Sequence, residues 1–372
     1  METELINKIL QEIGLLHLTP GHLVMWFVGA FLIHLGINKK YEPYLMLPIG
    51  IGIIAVNLPL AGLMHDDGIL GTIYHFGIGK DLLPLLIFLG IGAMTDFEPL
   101  LSDPVTFMIG AAAQLGIPLI MMFGILLGFD LKQSAAIGII GCSDGPIIIY
   151  TASKLAPELL SVIALVGYSY MAMVPILQPP IMRLLTTKKE RTIVMKETRK
   201  ISQVEKIVFP LLSIIIIVLL VPKAAPIVIM LMVGNFFKEA GVVDKLHSAV
   251  EGELLHICTI FLGICIGAKM EAAIFLRPQT LLIFFLGLVN FAMCSAFGIL
   301  MVKFLNLFLK DKINPLIGSA GVSAVPMAAR TSHVIGQQEN PDNWLLMHAM
   351  GPNVAGVVAS SVIAGIFLSL LM

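Results

Sequence analysis

Charge is what this sequence has least of. Asp, Glu, Lys and Arg make up only 13% of its 372 residues, against roughly 25% in soluble domains. Half the charge that keeps a chain in water is missing, which excludes an ordinary soluble globule. Long polar runs are scarce as well, with a single strongly polar stretch at 183–206. The four cysteines, Cys142, Cys258, Cys265 and Cys294, lie in apolar segments without metal-ligand spacing. That excludes a thiolate metal site and leaves them as buried thiols behaving like small hydrophobes. The zinc-protease motif H-E-x-x-H is absent. A net charge of −1, with no interleaving of basic and aromatic residues, gives no sign of a nucleic-acid partner.

What is present is apolar sequence in long runs. Hydrophobic residues make up 58% and the mean hydropathy is +0.95. With their flanks, segments 23–37, 45–63, 82–92, 105–129, 207–221, 257–267 and 281–302 reach or approach the length that crosses a ~30 Å hydrocarbon layer as a helix. The expected class is an all-α polytopic membrane protein of the cell (cytoplasmic) membrane. Residues 1–20 read differently. Ile6, Ile9, Leu10, Ile13 and Leu16 share one helical face, which predicts an interfacial amphipathic helix and no cleavable signal peptide.

The polar stretch 183–206 carries eight Lys/Arg against three Glu. It is too short to bury a core and reads as a cytoplasmic linker between a first membrane repeat, 21–182, and a second, 207–372. The halves echo each other in one order. IFLGI occurs at 87 and 260, and GAMTDFEPLL at 92 answers GAKMEAAIFL at 267, with Asp96 opposite Glu271. FGIL occurs at 123 and 297, IIG at 139 answers LIG at 316, and MAMVP at 171 answers HAMGP at 348. Pairs kept in order indicate an internal duplication. The first half offers spans near 21–38, 43–63, 82–101, 104–128 and 158–182, plus a broken segment at 133–154. If that segment is re-entrant, each half crosses an odd number of times and the second half is inverted. The expected architecture is two inverted repeats of about five spans, each with a broken hairpin, about ten spans in total. With both termini outside, the linker and Lys39, Lys40, Lys238, Lys245, Lys303, Lys310 and Lys312 all fall inside, as the positive-inside rule asks.

The two broken segments hold the candidate site. In IGIIGCSDGPIIIY (137–150), Gly141 and Gly145-Pro146 interrupt the helix and Asp144 lies between the arms. In LIGSAGVSAVPMAAR (316–330), Gly318, Gly321 and Pro326 do the same after Asn314-Pro315, and the segment ends at Arg330. Unwound backbone at membrane depth is tolerated where it lines a cavity or is buried in protein, and its freed carbonyls are ligands for a small cation. An intramembrane acid is costly and by default functional, so Asp144 is read as an ion ligand in preference to a structural carboxylate. Arg330 reads as a fixed cation for a carboxylate, or as a snorkelling interfacial residue. Tyr168 and Tyr170 read as interfacial aromatics or, beside a cation site, as a proton relay. Asn353 supplies a neutral oxygen in HAMGPNVAG. Asp96 and Glu98 mark a helix end or an ion path.

GAMTDFEPLL, GCSDGP, GYSYMAMVPILQPPI, GSAGVSAVPMAAR and NPDNWLLMHAMGPNVAGVV together resemble the membrane β-subunit of the sodium-translocating biotin-dependent decarboxylases, over nearly the whole chain. The resemblance implies an enzyme subunit that removes CO2 from carboxybiotin on a partner protein, consumes a proton and exports Na+. It implies Na+ and biotin as the ligands, with the biotin attached to another chain. Implied partners are a biotin carrier protein, a carboxyltransferase α-subunit, a small membrane-anchored subunit and further copies of this chain in a homo-oligomeric core. Matched by motif, Arg330, Tyr170 and Asp144 take the catalytic positions and Arg330 the carboxybiotin carboxylate. Asp144, Asn314, Gly318, Ser323 and Asn353 take the Na+ positions. A shorter N-terminus than the oxaloacetate-type members favours an acyl-CoA-type system. The alternative from another class is a secondary Na+-coupled carboxylate transporter, which would use the same repeats, hairpins and arginine.

Overall fold

Capping residues set where several helices begin. Thr19 accepts from the His22 backbone N–H, with Pro20 in the first turn, and starts helix Pro20–Asn38. Reciprocal capping by Asp130 and Gln133 starts Leu131–Gly138, and by Ser202 and Glu205 starts Gln203–Leu220. In the computed structural model, which describes residues 11–40, 42–65, 67–196, 198–275 and 277–372, all regular structure among the described residues is helical. Six helices are long and apolar enough to span: Pro20–Asn38, Val105–Leu126, Gln203–Leu220, Asp244–Ala268, Pro278–Phe308 and Leu346–Leu371. Two sharply bent pairs, Ile69–Gly77 with Leu82–Met94 and Leu160–Ala172 with Val174–Leu185, raise the number to eight. The expected all-α multi-pass class is therefore met. Ile6, Ile9 and Leu10 of the expected interfacial helix lie outside the described residues; Ile13 and Leu16 are exposed beside or in a short turn, Gly14–His17.

Glycine decides how the interior helices meet. A methyl group on Gly52 would lie 2.3 Å from the Ile264 carbonyl, and one on Gly267 2.1 Å from that of Ile49. Helices Pro43–Val56 and Leu255–Ala268 therefore touch backbone to backbone. Leu82–Met94 and Ala225–Ala240 do the same, since methyls on Gly92 and Gly234 would lie 1.8 Å from the Leu231 carbonyl and 2.0 Å from that of Leu89. Lipid tails give helices no hydrophobic reason to associate, so close approach supplies the attraction through van der Waals contact. An asparagine fastens each pair: Asn57 Nδ2 donates to the Met270 carbonyl at 2.8 Å, and Asn235 Nδ2 to that of Thr95 at 3.1 Å.

The polar stretch 183–206 is a strap with fixed attachments. Its one-turn helix Lys188–Arg191 is capped by Thr187 and Glu190. Arg191 pairs with Glu339 at 2.9 Å, Lys303 with Glu190 at 3.2 Å, and Arg183 donates to Gln338 at 3.0 Å. Glu98 pairs with Lys206, while Asp96 accepts from the Glu98 N–H at the start of helix Glu98–Ser102. The acids of the GAMTDFEPLL motif thus sit at a helix end.

Candidate functional site

The first broken segment folds as an arm, a tip and a returning arm. Helix Leu131–Gly138 tightens into a 3-10 turn, Ile139–Cys142, and Ser143 then takes a left-handed conformation with φ 55°. Asp144 caps the returning helix Gly145–Leu155, its Oδ1 accepting from the Ile147 N–H at 3.3 Å. The second segment runs from a 3-10 stretch, Pro315–Gly321, through an irregular turn at 322–326 into helix Met327–Glu339. The two tips meet where the Ser323 N–H donates to the Cys142 carbonyl at 2.7 Å. Asn353 on the central helix Leu346–Leu371 lies against the same turn.

The carbonyls freed by unwinding residues 319–322 already have partners. Gln178 Nε2 donates to Ser319 O at 2.7 Å, Asn353 Nδ2 to Ala320 O at 2.9 Å and Val322 O at 2.6 Å, and Gln114 Nε2 to Gly321 O at 2.8 Å. In the first segment Asn290 Nδ2 donates to Gly138 O at 2.6 Å. Each of these carbonyls accepts a hydrogen bond, because buried carbonyls find donors wherever they are within reach. Each amide that ties off a carbonyl also brings an oxygen of its own. Asn353 Oδ1, Gln114 Oε1, Gln178 Oε1 and Ser143 Oγ are buried without a hydrogen-bond partner. Asp144, 5% exposed, forms no ion pair among the described residues. A buried carboxylate without an ion pair is costly on its own, and oxygen donors of this kind suit a small hard cation.

Asp144, Ser323 and Asn353 are brought to the meeting tips, where Ser143 and Ser360 join them; Ser360 Oγ lies 3.2 Å from Ser323 Oγ. Gly318 sits along the descending arm, where a methyl would lie 2.2 Å from the Gly298 carbonyl, so glycine there serves a helix crossing. Asn314 is at the foot. Its Nδ2 donates to the Arg191 and Ile193 carbonyls at 2.9 and 2.8 Å, and its Oδ1 accepts from the Leu316 N–H. Tyr170 donates to the Phe284 carbonyl at 2.5 Å. Tyr168 is the tyrosine nearer the carboxylate, because its ring packs on Gly145, where a methyl would lie 2.0 Å from Cε1. Arg330 is exposed in the first turn of helix Met327–Glu339 and forms no side-chain hydrogen bond or ion pair among the described residues.

Gln114, Gln178, Asn290, Ser143 and Ser360 escaped the sequence reading. The signal was a polar side chain within an apolar span, which is expensive in lipid and therefore meaningful. Gly141–Gly145 also spells G-x-S-x-G. That motif marks a nucleophile on a strand-to-helix turn, whereas here it joins two helical arms and the Ser143 hydroxyl has no partner.

A multi-pass helical bundle whose broken hairpins meet around a buried carboxylate is the build of a membrane protein that handles a small ion inside the bilayer. The chain belongs to the family of Na+-transporting oxaloacetate decarboxylase beta subunits, whose model matches residues 21–371. It is 46% identical to oxaloacetate decarboxylase beta chain 2 of Salmonella typhi, the alignment covering 98% of each chain. It is 48% identical to the glutaconyl-CoA decarboxylase subunit beta of Acidaminococcus fermentans and to the methylmalonyl-CoA decarboxylase subunit beta of Veillonella parvula, covering 98% of this chain and 97% of each relative. The Salmonella alignment runs over 426 positions, more than the 372 residues here. The extra length of that relative therefore lies within the alignment and not ahead of it. Membership places the chain among the subunits of sodium-translocating decarboxylases.

Proposed function

We propose that this subunit decarboxylates carboxybiotin presented by a partner's biotin carrier, consumes a proton, and uses the free energy to export Na+ across the cytoplasmic membrane. The observation that carries the reading is the meeting of the two hairpin tips around Asp144, with Asn353 and Ser323 beside it. Exporting one Na+ against ~100 mV costs about 2.3 kcal/mol for the electrical part, so chemistry and ion release must share one conformational cycle. In this reading Asp144, Ser323 and Asn353 bind the ion and Gly318 and Asn314 shape the arm that carries the second tip. Arg330 receives the carboxylate, and Tyr170 delivers the proton once its bond to the Phe284 carbonyl opens.

The same reading takes the chain as two inverted repeats with ten crossings, both termini outside and the strap inside. Its support is the pairing of Pro43–Val56 with Leu255–Ala268 and of Leu82–Met94 with Ala225–Ala240. Each joins the second or third span of one half to the third or second of the other, at a glycine crossing fastened by an asparagine. A carboxyltransferase subunit, a small membrane-anchored subunit and further copies of this chain complete the complex. Alignments with the two acyl-CoA-type relatives over 365 and 366 positions, close to this chain's own length, favour an acyl-CoA-type substrate for the complex. The test is 22Na+ uptake into vesicles holding inside-out subunit, with free carboxybiotin as the sole energy source. Uptake that follows decarboxylation is expected. Decarboxylation without uptake, or uptake that needs only a sodium or carboxylate gradient, refutes the proposal.

A further inference from the structure

Beyond the tips, the loop that follows the returning arm of the second hairpin carries an exposed aromatic that the ion site does not use. Arg330 and Val334 stand four residues apart on helix Met327–Glu339, hence on one face, and both are exposed. His333 borders that face, and its ring lies 5.3 Å from the Trp344 ring at a 35° tilt. The loop bearing Trp344 is held at several points. His333 Nδ1 accepts from the Leu345 N–H at 3.2 Å, the Asp342 N–H donates to Asn340 Oδ1 at 3.1 Å, and Asn343 Nδ2 donates to the Arg191 carbonyl at 3.1 Å. Asn343 and Leu345, the residues on either side of Trp344, are buried. Trp344 itself is 70% exposed. A large aromatic presented this rigidly loses little conformational entropy when it is covered, which is how binding surfaces use tryptophan.

The chemistry of the face selects its occupant. A guanidinium without a side-chain partner among the described residues calls for an anion with two acceptor oxygens. Val334, one helical turn from Arg330, and Trp344, packed on His333 three residues from it, offer apolar surface beside it. A small fused-ring molecule with a carboxylate at one end and an apolar edge matches both. We propose that Trp344, with Val334, is the positioning surface on which the fused rings of carboxybiotin rest while Arg330 holds the carboxylate. This rests on the function proposed above and adds to it a substrate-orienting residue. Trp344 moves no proton and touches no ion; it fixes the angle at which the carboxylated ring meets the hairpin.

The chain has two tryptophans, so Trp26→Phe leaves Trp344 as the sole indole reporter. In the purified full-length chain carrying Trp26→Phe, free of the other subunits, titration with d-biotin should change Trp344 emission saturably. The emission should not be quenched in vesicles of lipids with brominated acyl chains. With free carboxybiotin as substrate, Trp344→Ala should raise KM about five- to tenfold, as loss of an aromatic contact does. It should keep kcat within about twofold and leave sodium protection against heat unchanged, and Trp344→Phe should restore most of the affinity. An unchanged KM in Trp344→Ala overturns the inference, as does quenching by brominated lipid, which would make Trp344 a membrane-interface anchor. A fall in Trp344→Ala emphasising kcat and sodium protection together would make it a structural residue and overturns it too. Wild-type protein that fails to decarboxylate free carboxybiotin would sink the proposed function as well, whereas wild-type turnover with an indifferent Trp344→Ala sinks this inference alone.

Discussion

Asp144→Asn separates ion binding from folding at one atom. The native side chain caps helix Gly145–Leu155 through one bond from the Ile147 N–H, and asparagine caps helices about as well as aspartate. The substitution therefore keeps the tip in place and removes only the charge. Without sodium the native carboxylate is buried and unpaired, so the variant should be at least as stable as wild type. With sodium at about 100 times its Kd, wild type gains about 2.7 kcal/mol from binding, on the order of 5 °C in Tm for a chain of this size. The variant should gain almost none of it. The two proteins should thus exchange rank between sodium-free and sodium-rich buffer. Thermal unfolding of purified protein in NaCl against choline chloride at equal ionic strength measures this directly. A full sodium-dependent rise in Tm for Asp144→Asn would show that the ion is held elsewhere and that Asp144 is a structural cap.

Arg330→Lys should lose ten- to a hundredfold in kcat/KM for free carboxybiotin, the equivalent of roughly 1.5–3 kcal/mol for a charge-assisted contact, because an ammonium cannot make the two parallel bonds of a guanidinium. A snorkelling cation would tolerate lysine, so near-normal turnover decides against substrate contact. Tyr170→Phe should slow decarboxylation more than tenfold while sodium protection stays near wild type; unchanged turnover would leave the Tyr170 hydroxyl with its bond to the Phe284 carbonyl as its whole role. Gly92→Val should prevent stable assembly of the bundle, since even a methyl there would lie 1.8 Å from the Leu231 carbonyl. Normal detergent stability of that variant, judged by Tm and gel filtration, would mean the two helices do not cross as closely as described.

Hydropathy, glycine and proline settled much of this protein before any tertiary contact is considered. Runs of apolar residues long enough to span determine the all-α multi-pass class, since a backbone in lipid must satisfy its own hydrogen bonds. Gly141 and Gly145-Pro146, then Gly318, Gly321 and Pro326, placed the two breaks, because helix interruption is a property of the local chain. Asp144 was legible for the same reason: its cost in lipid is paid wherever its neighbours are. Only the tertiary structure decided which of the candidate residues lie together. Ser323 meets Cys142, Asn353 and Gln114 reach the second tip from other helices, and Asn314 turns instead to the strap at Arg191 and Ile193. An amide or a hydroxyl in a sequence carries no mark of its partner. The choice is made by which buried donor lies within about 3 Å of which freed carbonyl once the helices have packed, and at glycine crossings that packing is set by backbones far apart in the chain.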